Sequence, residues 1–301
     1  MRNKAFLGSI VLTVTAMIWG AAFVFQRTGM ENIGPYTFAS VRMVLAAVFV
    51  GILSLIIDSV QAKKSPDGAA KKKLNKNTVK GGVFGGIALC VASTLQQIGL
   101  QYTEAGKAGF ITALYMLLIP LISWIFLHGK IDGQTWIAVV MGAVGLYLMC
   151  IKGDFSLALG DTYIVLCAFG FAIQILILDH FMGDADPVKL SVIEFAVTAV
   201  LTAIPAIIIE HPGWDNIISA AGPLLYCGCI SGGLGYTGQS IGQKLTEPTV
   251  AGMLMSLESV FALIAGALIL NETMTPKELF GCGIMFAAII LVQIPIKKLK
   301  K

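Results

Sequence analysis

The 301-residue chain is 56% hydrophobic and only 13% charged, with a mean hydropathy of +0.83 and a formal net charge of +4. A soluble domain carries about 25% charged residues, so the composition excludes an ordinary water-soluble globule and points to a chain that lives in lipid.

The apolar residues fall into ten runs, each of roughly 19–24 residues, about long enough to cross a hydrocarbon layer. The first predicted span lies near 5–26. Its flank MRNK imitates a signal peptide, but the run is too long and no small-residue cleavage pattern closes it. The second lies near 35–57, opening on Pro35. The stretch 62–77 follows, AKKSPDGAAKKKLNKN, the one hydrophilic stretch of any size. Its lysines are read as a loop beside anionic lipid rather than a nucleic-acid patch, each Lys contributing about 1 kcal/mol near such a surface. The remaining spans are expected near 80–101, 106–127, 134–151, 158–179, 188–209, 217–241, 248–270 and 277–296. None shows the alternating ten-residue pattern of a membrane β-barrel. The fold class expected is therefore an all-α integral membrane protein with ten transmembrane helices.

Ten spans put both termini on one side. That side then holds sixteen of the 21 Lys and Arg residues. The other holds Arg27, Lys107, Lys152 and Lys277, while Arg42 lies within a span. The positive-inside rule places both termini in the cytoplasm. Six cysteines, all in apolar runs, make no disulfide framework. His128, His180 and His211 are scattered near span ends, and Cys227 and Cys229 have no His or second Cys pair near them. No metal site and no cofactor is expected.

The chain is written twice. A constant shift of 152 pairs Leu7 with Leu159, Gly8 with Gly160, Met30 with Met182, Pro35 with Pro187 and Ala47 with Ala199. A shift of 143 pairs Gln96 with Gln239, Gly99 with Gly242, Thr103 with Thr246 and Glu104 with Glu247. The Lys-rich loop absorbs the difference. Two five-span repeats are predicted, 1–152 and 153–301. Because five is odd, the second crosses the membrane in the opposite sense. Inverted repeats suit alternating access, with the substrate site near the midplane where the halves meet.

The chain resembles the ten-span EamA-type family of drug/metabolite transporters. The resemblance rests on WGAAFVFQR at the end of span one, GPYTFASVR in span two, TEAGKAGFITALYMLLIP over spans three to four, and LTEPTVAGMLMSLESVFALIAGALILNETMTPKELFGCGIM over spans eight to ten. It implies a ten-helix carrier with a central cavity, moving small metabolites, often outward and often coupled to protons or to exchange. Substrates in the family include amino acids, nucleosides and drugs. The first half departs from the pattern, reading HGKI at 128–131 where the second half has NETM at 271–274. Each stretch closes a span, and only loop differences are expected there.

Charges inside spans are costly and default to functional hypotheses. Arg42 and Glu194 occupy the same repeat position with opposite sign, seven residues after Pro35 and Pro187. Either they bind the two poles of a substrate, Arg42 taking a carboxylate and Glu194 an amine or a proton, or they form an internal ion pair, or Arg42 snorkels to an interface. Glu258, set in AGMLMSLESVFALIAGALIL, has Tyr115 as its repeat partner. It is a candidate gate, substrate contact or proton carrier, as Glu194 is. The alternative is a neutral acid bonded to a neighbouring helix. Gln96 and Gln239 share one repeat position and are expected to contact substrate. Gln26, Gln97, Gln174 and Gln243 are read as helix-to-helix glue. Trp19 and Tyr236 are candidates for the cavity wall. Glycines at 81, 82, 85 and 86, and at 228, 232, 233 and 235, form small-residue faces for close helix approach. GGLG is no phosphate loop, since no strand precedes it and no Lys-Ser/Thr follows.

The function expected is a secondary active exporter of a small polar or zwitterionic metabolite, such as an amino acid, in a bacterial cytoplasmic membrane. Its partners are that small molecule, the lipid bilayer and protons as coupling ion, with no nucleic acid, and the protein acts as a monomer or homodimer. Drug or toxic-metabolite efflux by proton antiport is the alternative, followed by a non-transporting membrane protein. An enzyme would need a clustered set of His, Asp or Cys that the chain lacks.

Overall fold

The structure is a computed structural model that describes residues 2–64, 74–127, 133–150, 158–246 and 254–293. The HGKI stretch, most of the Lys-rich loop and the run 247–253 lie outside these. The described residues are helical throughout, with no strand. α1 (Arg2–Gly29), α2 (Pro35–Lys64), α3 (Lys76–Leu100), α4 (Ala105–Thr112), α5 (Tyr115–Leu127) and α6 (Gly133–Cys150) come first. α7 (Leu159–Phe181) and α8 (Pro187–Pro205) follow, α8 running on as a π-helical turn, Ala206–Glu210. Next come the short α9 (Trp214–Ser219) and α10 (Ala221–Leu225), a π-helical segment Tyr226–Tyr236, and α11 (Thr237–Leu245). α12 (Glu258–Ile269) and α13 (Pro276–Gln293) complete the chain.

Among the described residues six segments are long and apolar enough to cross a membrane: Phe6–Gly29, Pro35–Val60, Lys76–Leu100, Ala105–Phe126, Leu159–Phe181 and Pro187–Glu210. Gly133–Leu148 and Leu254–Ile269 are shorter apolar helices. The run expected over 217–241 is not one α-helix. A turn at Ala220 and the π-helical segment divide it.

The burial pattern is that of a protein solvated by lipid. On α2, Val44, Val48, Ile52, Leu55 and Ile56 face outward, while Arg42 on the same helix is 4% exposed. Helical spacing accounts for this, because those apolar residues share one face and Arg42 lies beside it, at the margin of the buried face formed by Ala39, Met43, Ala46 and Val50. The interior holds Gln97, Asp161, Glu194 and Ser259, all fully buried.

Packing follows the small residues. α3 lies on α7 and α8. A Cβ at Gly86 would strike the Glu194 carbonyl and Val197, so only glycine allows this approach. Thr198 bridges the same contact, donating to the Gly86 carbonyl at 3.0 Å. α2 packs on α8, α6 on α13, and α1 on both α12 and the 226–245 segment.

Polar clamps close the two ends of the bundle. At one end Glu272 accepts from the backbone N–H of Ala105 at 2.8 Å and Gly106 at 2.9 Å, and from Arg27. It thus holds the first turn of α4, where unpaired amides would otherwise remain. Asn271 makes the preceding turn at φ 54°, a left-handed conformation Asn tolerates. Glu272 thus gives the NETM stretch a clamping role, while HGKI, with which it was compared, lies outside the described residues. Nearby, Lys107 donates to Asp161 at 2.7 Å and Thr103 donates to it at 2.8 Å. Lys107, counted among the charges of the non-cytoplasmic side, is 7% exposed and ion-paired. Glu210 accepts from Tyr36 N–H at 2.9 Å and Thr37 N–H at 2.7 Å, covering the start of α2. At the opposite end Lys189 pairs with Asp58 at 2.9 Å, and Asp186 caps α8 through Val188 and Lys189 N–H. Glu210 and Asp58 are themselves 152 residues apart. Each sits over the first turn of the other half's equivalent helix.

A central polar cavity

Two helices break at matching places. The rod of α4 and α5 is interrupted at Ala113–Leu114, where 3₁₀-type bonds such as Leu117 N–H to Leu114 C=O at 2.9 Å replace the α pattern. The turn 254–256 and α12 are interrupted at Leu257. Tyr115 and Glu258 are the first residues past each break. Discontinuous helices of this kind mark binding sites in transporter folds. The break also helps explain how a carboxylate is accommodated in an apolar run. Glu258 occupies the first turn of α12, at the positive end of the helix dipole.

Both residues line a central cavity together with Trp19, Gln26, Arg42, Gln96, Thr112, Phe171, Gln174, Ser231, Tyr236 and Gln239. Seven of the eight side chains singled out from sequence therefore meet here: Trp19, Arg42, Gln96, Tyr115, Tyr236, Gln239 and Glu258. The eighth, Glu194, stands one side chain behind, accepting from Gln174 Nε2 at 2.7 Å. The cavity is small, about 40 Å³.

The aromatic wall is built by close approach. Trp19 and Tyr236 rings lie 4.9 Å apart, and Phe195 backs Tyr236 at 6.0 Å. The Trp19 indole donates to the Ser231 carbonyl at 3.1 Å, within the π-helical segment. A side chain at Gly235 would overlap the Trp19 ring, so glycine is required there.

The charges do not pair with one another. Arg42 Nη1 donates to Gln26 Oε1 at 2.8 Å. Among the described residues no carboxylate lies within ion-pair distance of Arg42. Glu194 is held by Gln174 alone. Each opposite charge is thus steadied by an amide on the preceding helix, α1 for α2 and α7 for α8. Gln26 and Gln174, read from sequence as glue between helices, do join neighbouring helices, and the partner of each is one of the two buried charged side chains. Several polar atoms inside have no hydrogen bond: Arg42 Nε and Nη2, Glu194 Oε2 and Gln239 Oε1, whereas the Tyr115 hydroxyl and the Glu258 carboxyl face each other as a hydrogen-bonding pair. Gln96 makes only a long contact, 3.5 Å, to Thr112. No group of three or more His, Cys, Asp or Glu suited to a metal occurs among the described residues.

The model of the EamA-like transporter family matches residues 6–151 and again 158–294. An uncharacterized transporter of Archaeoglobus fulgidus is 26% identical over 97% of this chain and 87% of its own. The uncharacterized transporter YoaV of Bacillus subtilis is 23% identical over 93% and 95%. A chloroplastic WAT1-related protein of Arabidopsis thaliana is 24% identical over 96% of this chain and 70% of its own. One crystal structure of a protein shares the fold, with a TM-score of 0.64 at 17% identity, covering 94% of this chain and 96% of that one.

Proposed function

The chain belongs to the EamA-like transporter family, and from that premise we propose that it is a secondary active carrier that exports a small polar or zwitterionic metabolite, such as an amino acid. Ten spans in two inverted five-helix repeats, 1–152 and 153–301, rock about the central cavity, with both termini in the cytoplasm of a bacterial cell. The single observation that carries the reading is the convergence of Arg42, Glu258 and Tyr115 on one buried cavity at two helix breaks. The two separate matches of one family model support the repeat. So does the reciprocal placement of Asp58 and Glu210.

Alternating access requires two ends that open in turn. The Glu272, Asp161 and Glu210 clamps close the end assigned to the outside. The Asp58–Lys189 pair and the Asp186 cap serve the cytoplasmic end. On this reading cargo enters when one set loosens. Glu258 and Glu194 are the candidate proton carriers. Arg42, Gln96, Gln239, Tyr236 and Trp19 are assigned to substrate. A small polar cargo suits the tight cavity better than a bulky drug.

The test is flux in proteoliposomes loaded with a metabolite mixture, with and without a proton gradient. Saturable efflux or exchange supports the carrier. No substrate-dependent flux under any gradient refutes it, and flux that never saturates points to a channel.

A further inference from the structure

Arg42 has a peculiar pattern of contacts. Its Nη1 is bonded to Gln26, while Nε and Nη2 have no partner in a residue 4% exposed. Those two nitrogens form one lateral edge of the guanidinium, with parallel N–H bonds at the spacing of two carboxylate oxygens. An unpaired buried cation is costly. A lateral edge left free beside a cavity, in a group already fixed from the other side, is a shaped acceptor for a planar anion.

The rest of the cavity narrows the chemistry. Arg42 is the one cationic side chain among the lining residues, and Glu258 lies in the same space. A phosphate or dicarboxylate dianion would meet one positive and one acidic group, a poor match. Gln239 Oε1 is unbonded, and the Glu258 carboxyl has the Tyr115 hydroxyl beside it. The carboxyl and amide oxygens can accept hydrogen bonds from a ligand, and the phenol can accept or donate. We infer that the cargo is a monocarboxylate bearing a hydrogen-bond donor, its carboxylate gripped side-on by Arg42 Nε and Nη2 and its donor end facing Glu258. Gln26 is a positioning residue, because its bond to Nη1 fixes the guanidinium of this cavity-lining residue and leaves Nε and Nη2 without a hydrogen bond. The inference rests on the carrier reading above and specifies its substrate.

The experiment uses the full-length protein in lipid nanodiscs, with thermal stability as readout, since a ligand of the folded state raises it. Three pools are compared at equal millimolar concentration: the α-amino acids with their 2-hydroxy analogues, the methyl esters of the same acids, and the decarboxylated amines. The acid pool is expected to raise the melting temperature and the ester and amine pools are not. The active acid should bind Arg42→Lys roughly 10- to 100-fold more weakly, since Lys keeps the charge and loses the fork. Gln26→Leu should weaken the acid by a smaller factor.

Equal shifts from esters or amines, no shift from acids, or undiminished acid binding to Arg42→Lys would each overturn the carboxylate seat. If Arg42→Lys does not fold, the preference of the wild-type protein for acid over ester decides. Flux is then measured for whatever binds. A bound acid that is never carried supports the seat but refutes the carrier, whereas a carried amine or ester refutes the seat but keeps the carrier.

Discussion

Replacing Glu272 by alanine removes the acceptor for two backbone amides at the start of α4 and for Arg27. The carboxylate is 10% exposed and Arg27 is 39% exposed. Each amide left without a partner costs about 1 kcal/mol at least, because water reaches this end only in part. Loss of an anion at a helix N-terminus adds about 0.5 kcal/mol. The ion pair contributes at most about 1 kcal/mol, since the guanidinium is substantially exposed. Glu272→Ala is therefore expected to destabilise by roughly 3 kcal/mol in total. Glu272→Gln keeps one carbonyl acceptor and should lose about half of that. Arg27→Met should cost less than about 1 kcal/mol. The assay is thermal unfolding of the purified variants in one detergent, followed by intrinsic tryptophan fluorescence. The order of effects is the test. If Arg27→Met costs as much as Glu272→Ala, the ion pair and not the amide cap does the holding, and the reasoning fails.

Three further perturbations are specific. Asp161→Asn leaves Lys107 buried with its charge uncompensated and should destabilise by about 3–5 kcal/mol. The Asp161→Leu/Lys107→Met double variant should recover most of that, and a double variant no better than the single would contradict the pairing. Gly235→Ala places a methyl against the Trp19 ring. It should displace the indole from Ser231, shift tryptophan emission and lower flux, and unchanged emission with full flux would show that the wall has slack. Glu258→Gln should flatten the pH dependence of flux while the protein still folds. A pH profile identical to wild type removes Glu258 from proton coupling.

The internal repeat made much of the cavity legible before any coordinates. Arg42 with Glu194, Tyr115 with Glu258 and Gln96 with Gln239 stood out because equivalent positions carried polar groups inside apolar runs. Interactions across long separations were not legible. Arg27 and Glu272 are 245 residues apart, and Thr37 and Glu210 are 173 apart. No local pattern links such pairs. The ion pair of Lys107 was not legible because its partner Asp161 lies 54 residues on, in the first turn of α7. Gln26 and Gln174 were discounted because an amide in a span has many uses, and only geometry shows which charge it serves. The π-helical segment over 226–236 left no clear mark either. Its glycines predicted close approach, which the structure bears out at Gly228 and Gly235, but not the altered hydrogen-bond ladder.

The unbonded atoms around the cavity are a local frustration in a chain whose contacts elsewhere agree with one another. Arg42 Nε and Nη2 and Gln239 Oε1 are each buried without a match. A group in that state costs about 1–3 kcal/mol, more if charged. A ligand that satisfies them gains affinity by relieving this cost as well as by new attraction. Trimming one polar group from such a ligand should therefore weaken it more steeply than the lost contact area suggests, while trimming an apolar group of equal size should not.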